Sequence, residues 1–435
     1  MKKERTLWGL FGWSALISVF MVLVCFIYWN LPYTYGQGDD KIMSWAKNKD
    51  IILKDKFDTN VFAVNISYDK VLTPKKVVED HGGIKFPKQI GETAIVDRGE
   101  LYTFLQFLKE ADNYRYIVCD IALNSAYKTE YDDSLFATIA SMRDIVVADS
   151  ENLPECLSSK AAVAAYQKKH VYDDFMKYSC LIDGHETVAF RMWKDISGCG
   201  YEEKWLGLQM DGQRRLMSFV PDFRFAIYDD YYLEDGQPHR TVHNLGYDIV
   251  NSISIEGLDK KLEDKIVLIG SWKEEDIHDT VIGSQPGISI IYNAYLGLVH
   301  KDNRIPVWIY VLLLLMFWAQ AVILLRKIYH ECIFSLAVPE NRFLRFLYNC
   351  LIFSGIKRPE NRFWRYFVLV ISYPVTYYTF PIAMLALIIF ISSGLYVNAL
   401  LIGILFSLAD DFVSDGYDEE WNDAKKRKEQ DVKES

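Results

Sequence analysis

Uncharged apolar runs occupy residues 7–29, 305–325, 367–391 and 395–409 of the chain. Between the first two, the apolar positions follow the shorter periods of a folded domain. Residues 61–66 (Val-Phe-Ala-Val-Asn-Ile) read as a strand buried on both faces. Asp97-Arg-Gly-Glu100 resembles a capping box, and Leu101, Phe104, Leu105 and Leu108 follow at the i, i+3, i+4, i+7 spacing of a helix. A second buried strand lies at 116–121, a helix from about Asp133 buries Leu135, Ile139 and Met142, and a third strand lies at 145–148. Further strands are predicted at 223–228 and 265–270, and a helix at 286–299. Strands alternating with helices predict an α/β domain with a mostly parallel sheet.

The run at 7–29 is long enough, at about 1.5 Å per residue, to cross a hydrocarbon core of about 30 Å. A cleaved signal peptide would have a shorter apolar region and a small-x-small site, whereas Tyr28-Trp-Asn-Leu-Pro-Tyr33 follows here. Length favours a retained anchor. Pro374 and Pro381 imply kinks within the third run, and Ser392-Ser-Gly394 joins it to the fourth as a hairpin. Arg326, Lys327, Arg342, Arg345, Lys357, Arg358, Arg362 and Arg365 separate the second and third runs, and Lys2, Lys3 and Arg5 precede the first. The excess of basic residues on one side places both termini in the cytoplasm and the middle domain outside. The expected organisation is an anchor at 1–30, an extracytoplasmic domain at 31–303, three transmembrane helices at 304–411 with a basic cytoplasmic loop at 326–366, and a charged tail at 412–435. Within that loop Pro339-Glu-Asn-Arg-Phe-Leu-Arg-Phe346 recurs as Pro359-Glu-Asn-Arg-Phe-Trp-Arg-Tyr366. Both copies suit anchoring at the lipid headgroups; the alternative is a docking surface for a cytoplasmic partner through Arg342, Arg345, Arg362 and Arg365.

The net charge of -10 argues against a nucleic-acid partner. Cys156, Cys180 and Cys199 fall in the irregular part of the middle domain, where an oxidising compartment permits one disulfide in any of their three pairings. The sequence has no Cys-x-x-Cys, Gly-rich phosphate loop or His-Glu-x-x-His, and no cofactor is expected. Asp120 ends a strand where open α/β sheets place ligand groups, or caps the following turn. Asp276, His278 and Thr280 are the densest polar cluster, a candidate ligand-binding set or a loop closed by internal hydrogen bonds.

Lys265-Ile-Val-Leu-Ile-Gly270, Asp276-Ile-His-Asp-Thr280, Pro286-Gly-Ile288 and Asn293-Ala294 together resemble the end of a CHASE2 domain, an extracytoplasmic sensor of bacterial membrane receptors. Upstream, Asp97-Arg98, Ile117-Val-Cys-Asp-Ile121, Asp132-Asp133 and Ile145-Val-Val147 are similar to the same family, as is Gly394-Leu-Tyr-Val-Asn398. The likeness runs over roughly 1–411 and is weakest at 152–252. Many members carry an acidic Asp-x-Asp at the end of the first strand, where this chain has Asn65 and Ser67. They often carry Glu and His after the Pro-Gly, where it has Ser289 and Ile291. Family receptors usually continue into a cyclase or kinase, whereas the tail here is short. The resemblance implies a non-enzymatic sensor in the bacterial inner membrane, with an unknown extracytoplasmic ligand, a separate cytoplasmic signalling partner and a homodimeric state. The alternative expectation is an anchored extracytoplasmic enzyme with a cleft around Asp120, Asp276 and His278.

Overall fold

The computed structural model describes residues 7–31, 60–81, 84–164, 174–175, 177–205, 207–225, 231–232, 238–239, 242–252, 257–272, 276–280, 283–326, 380–393, 397–399 and 401–406. The chain forms two compact units, residues 30–304 and residues 1–29 with 305–435. Its principal elements, in chain order, begin with α1 (Leu7–Asn30), β1 (Val61–Asn65), and a long hairpin of β2 (Lys70–His81) with β3 (Ile84–Val96). Next come α2 (Arg98–Ala111), β4 (Tyr116–Cys119), α3 (Asp132–Ser141), β5 (Ile145–Ala148), β6 (Ala161–Ala162) and α4 (Val188–Ser197). A small meander of β7 (Tyr201–Glu203), β8 (Leu208–Met210) and β9 (Gln213–Arg215) leads towards β10 (Val242–Asn244), α5 (Leu258–Leu262) and β11 (Ile266–Gly270). The hairpin of β12 (Ile277–Thr280) and β13 (Gly283–Pro286) then precedes α6 (Gly287–His300), α7 (Val307–Arg326) and α8 (Phe380–Ser393).

The larger unit is an α/β domain around a six-stranded sheet in the order β10-β1-β11-β4-β5-β6, with every pairing parallel. Phe62, Val64, Ile117, Cys119, Ile145, Val147, Val267 and Ile269 turn one way, into a core with Leu101, Phe104, Leu105 and Leu108 of α2 and Leu135 and Ile139 of α3. The alternate residues Ala63, Val118, Val146 and Leu268 are buried too, on the face that α4 and α6 cover. Burial on both faces is why these strands are uninterrupted apolar runs. Each large side chain so enclosed contributes about 1.5–3 kcal/mol.

Asp97 caps α2, its Oδ1 accepting from the amides of Gly99 (2.9 Å) and Glu100 (3.1 Å). The reciprocal half of a capping box is not made: the Asp97 amide donates to the Asp69 carbonyl at 2.8 Å. The strand predicted at 223–228 is corrected over its described part. Phe223–225 is irregular, because the amides of Arg224 and Phe225 donate to Asn293 Oδ1 of α6 at 2.8 and 2.9 Å instead of to a neighbouring strand.

In the smaller unit, Ser14, Ser18, Met21, Cys25 and Tyr28 recur on one buried face of α1. Ser18 Oγ donates to the Leu314 carbonyl of α7 at 2.8 Å, and the small serines four residues apart allow this close approach. Trp13, Leu16, Val19 and Phe20 on the same helix are more than half or half exposed, an apolar exterior that water disfavours and lipid does not. Among the described residues one stretch, Phe11–Asn30, is long and apolar enough to cross a membrane; the apolar part of α7, Val307–Val322, is shorter. The basic loop with Arg342, Arg345, Arg362 and Arg365, its internal repeat, the start of the third apolar run, the end of the fourth and the tail lie outside the described residues.

Candidate functional site

At the carboxyl edge of the sheet, the ends of β1, β10 and β11 are tied by neutral groups. Asn65 Nδ2 donates to Asn244 Oδ1 at 2.9 Å, while Asn65 Oδ1 accepts from the Ser67 amide and hydroxyl (3.0 and 2.7 Å) and the Trp272 amide (3.3 Å). Ser67 Oγ and Ser271 Oγ share a 2.9 Å hydrogen bond. At these two positions, where the resemblance would put carboxylates, the chain closes the edge with an amide and a hydroxyl.

Carboxylates gather beside that network. Asp248 accepts from the Asn244 amide at 2.8 Å, and Glu100 packs against Gly246. Burial raises the Asp69 carboxyl above its ordinary range; the Gly246 and Leu245 amides oppose this, and the charges of Asp97 and Asp248 add to it. Burial also raises Glu100, reinforced by Asp69 and Asp97. Charges crowded at one edge hold protons more firmly than isolated ones.

Of the residues singled out from sequence, Asp276 and His278 are brought together, with Oδ1 and Nε2 2.9 Å apart. They stand on and beside a paired strand instead of in a loop, because β12 zips to β13 with His278 opposite Gln285 and Thr280 opposite Gly283. Thr280 is buried. The Asp276 carboxylate lies against Gly287, the first residue of α6, where a Cβ would collide with it and where a helix's positive end favours an anion. Asp120 follows β4, its amide donating to the Ile269 carbonyl at 2.8 Å, and its charge acts on Tyr178. Ser289 and Ile291 are buried on α6. Cys156, Cys180 and Cys199 are free thiols, so no disulfide joins any two of them. Cys180 is enclosed in the core, where burial pushes its thiol up to about 12, whereas Cys156 is exposed.

A cleft of about 700 Å³ opens beyond the carboxyl ends of β5 and β6. Its size falls in the range of small-molecule sites. Asp149 and Ser150, which follow β5, form one wall, and Asn152 and Ser158 extend it. The opposite wall is a tight hairpin in which Leu181–Ile182 pairs with His185–Glu186 across Asp183 and Gly184, both at positive φ (52° and 81°). That is the geometry Asp-Gly favours. Arg191 of α4 reaches Glu186 (3.3 Å), Asp195 (3.1 Å) and the Ser159 carbonyl (3.2 Å), and Lys194 also pairs with Glu186. Burial and the Glu186 carboxylate raise the Tyr201 phenol, which keeps it a donor. The cleft therefore presents acceptors, donors and one aromatic ring, with the Glu186 charge matched by cations. Sequence reading missed these residues; Asp183-Gly184 was the available signal of the hairpin. The chain matches no protein-family model, no curated protein and no solved structure.

Proposed function

We propose that the chain is a membrane-anchored extracytoplasmic binding protein of the CHASE2 type, which senses a small, hydroxyl-rich solute of no net charge. The observation that carries this reading is the constellation of Asp149, Glu186, Arg191 and Tyr201 around the cleft at the carboxyl ends of β5 and β6. Parallel sheets present ligand groups at that edge. Because Glu186 is already paired with Arg191 and Lys194, a neutral ligand with many hydroxyls satisfies the wall without leaving a charge unmatched. α1 would hold the domain to the bacterial inner membrane. The further apolar runs would complete four spans, and the basic stretch at 326–366 would pass the signal to a separate cytoplasmic protein, in a homodimer. Sensing further requires that the ligand bind two states of the domain unequally.

The test is thermal denaturation of the full-length protein in lipid nanodiscs with glucose, maltose, N-acetylglucosamine, glycine or glutamate. A saccharide at about 100 times its Kd should stabilise the fold by about 2.7 kcal/mol, and Arg191→Ala should remove that shift. A folded protein that none of the saccharides stabilises would end the reading. The 2.9 Å Asp276–His278 pair supports a second reading, an extracytoplasmic enzyme using His278 as general base. It predicts a hydrolytic activity that His278→Ala abolishes while saccharide binding persists.

A further inference from the structure

The larger unit begins at Asn30 and ends at Arg304. Both of its ends are fastened to the same short segment. Asn30 Oδ1 accepts from the Met217 amide at 2.9 Å. Asn303, fully buried, accepts from the Leu216 amide at 2.7 Å through its carbonyl and donates from Nδ2 to the Leu216 carbonyl at 3.2 Å. The preceding residue, Arg215, donates to the Leu298 carbonyl at 3.0 Å and lies over the Trp193 ring. The chain therefore enters and leaves this unit at one place.

The turn between β7 and β8 sits at that place. Lys204 donates its amide to the Gly207 carbonyl at 3.1 Å, and Gly207, at φ +94°, packs so closely on the Arg215 carbonyl that a Cβ would collide with it. A Cβ there would also lie 3.2 Å from Asn30 Oδ1. The turn is thus pinned on two sides, and it projects Trp205, 82 % exposed. A single exposed tryptophan is ordinary on a protein surface; what sets Trp205 apart is its place beside the point where the chain enters and leaves this unit.

We propose that the Lys204–Trp205 turn is an anchor on the lipid surface, with the indole seated at the headgroup level. This rests on α1 spanning the membrane. Trp205 is two residues from Gly207, hence within about 7 Å of it along the chain, and Gly207 abuts Asn30, the last residue of α1. That depth is where tryptophan concentrates in membrane proteins. Arg214, Lys301 and Arg304 are exposed around the same entry and exit point, while Glu202, Asp211 and Asp302 are held in ion pairs by Lys204, Arg215 and Arg224. Glu203 and Asp222, the latter sharing Arg224 with Asp302, are the acids that remain, one fewer than the three exposed cations, so the rim suits anionic headgroups.

The test uses the full chain with Cys156, Cys199, Cys332 and Cys350 replaced by serine, in nanodiscs containing phosphatidylglycerol. An environment-sensitive fluorophore is attached at Trp205→Cys, at Tyr247→Cys (76 % exposed, beyond β10) or at Phe20→Cys on α1. The label at 205 should be quenched by headgroup-level nitroxide lipid about threefold more than the label at 247, and should be shielded from aqueous iodide. A 205 label as open to iodide as the 247 label overturns the anchor. The label at 20 separates the causes. Quenched by deep nitroxide lipid, it leaves the span standing and the anchor lost; unquenched, it removes both. A 205 label screened from lipid and iodide alike points to a protein cover and overturns the proposal as well.

Discussion

Arg98 of α2 and Asp132 of α3 form an ion pair at 2.6 Å, with only 1 and 9 % of their side chains exposed. The guanidinium also donates to the carbonyls of Tyr127 and Asn124 at 2.7 Å each and lies over the Phe136 ring, and Thr129 donates to Asp132. The segment between β4 and α3 is therefore wrapped on one buried cation. Removing a single partner strands the other charge, which typically costs about 3–5 kcal/mol. Asp132→Ala should lower Tm by about 10 °C for a unit of this size. The double variant Arg98→Met with Asp132→Leu should recover much of that loss, since no charge is left unmatched. Equal losses in the single and double variants by thermal denaturation would show that the pair is not what holds the segment.

The carboxylates beside Asn244 set an acid-side dependence. Burial raises both Asp69 and Glu100 above their ordinary values of 3.8 and 4.5. A carboxyl raised by folding holds its proton better folded than unfolded. Its stabilising contribution is complete below the ordinary value and is lost as pH rises through the raised one. Glu100→Gln removes the repulsion while keeping the size. The variant should match the parent near pH 4 and melt about 1–2 °C higher at pH 7, a small gain because the group is largely solvated. A variant less stable at pH 7 would mean that the Glu100 charge is favourable where it stands.

Asn293 stands in for a strand partner at Arg224 and Phe225. Its Oδ1 accepts two amides, and its Nδ2 donates to the carbonyls of Phe225 (2.8 Å) and Ser289 (2.9 Å), all but the Arg224 bond out of water. Asn293→Leu strands those backbone groups at about 1–3 kcal/mol each. Hydrogen exchange should show lost protection at the Arg224 and Phe225 amides. A fall in Tm with those amides still protected would place the damage elsewhere.

The same asparagine shows where the sequence was legible and where it was not. The strands β1, β4, β5 and β11 were readable because burial on both faces writes each as an apolar run. The helices α2 and α6 were readable by periodicity and by Asp97 and Pro286 at their starts. Residues 223–228 are apolar apart from Arg224, yet over Phe223–225 the hydrogen bonds that decide strand or coil come from a side chain almost 70 positions away. β10, Val-His-Asn, is too short and too polar to register, though it completes the sheet. In the candidate site, Asp276 and His278 were legible as neighbours in sequence. Glu186, Arg191 and Tyr201 were not, since only the packing of α4 against the edge of the sheet brings them to the cleft beside Asp149.

Lys177 gives the last prediction, opposite in sign to that of Glu100. It is 5 % exposed, donates from Nζ to the Leu31 carbonyl at 3.3 Å, and burial lowers its ammonium from 10.5 to about 7. Folded chains then bind fewer protons here than unfolded ones between about pH 7 and 10.5, so stability should rise with pH across that interval. The slope can reach about 1.4 kcal/mol per pH unit where the two states differ by a full proton. Parent protein in nanodiscs should therefore melt several degrees higher at pH 9 than at pH 7. Lys177→Met keeps the length of the side chain and removes the charge. It should raise Tm at pH 7 and flatten the rise, because no ammonium remains to be stripped of water. A parent profile that is level from pH 7 to 9, or a methionine variant that keeps the slope, would show that Lys177 does not titrate inside the fold.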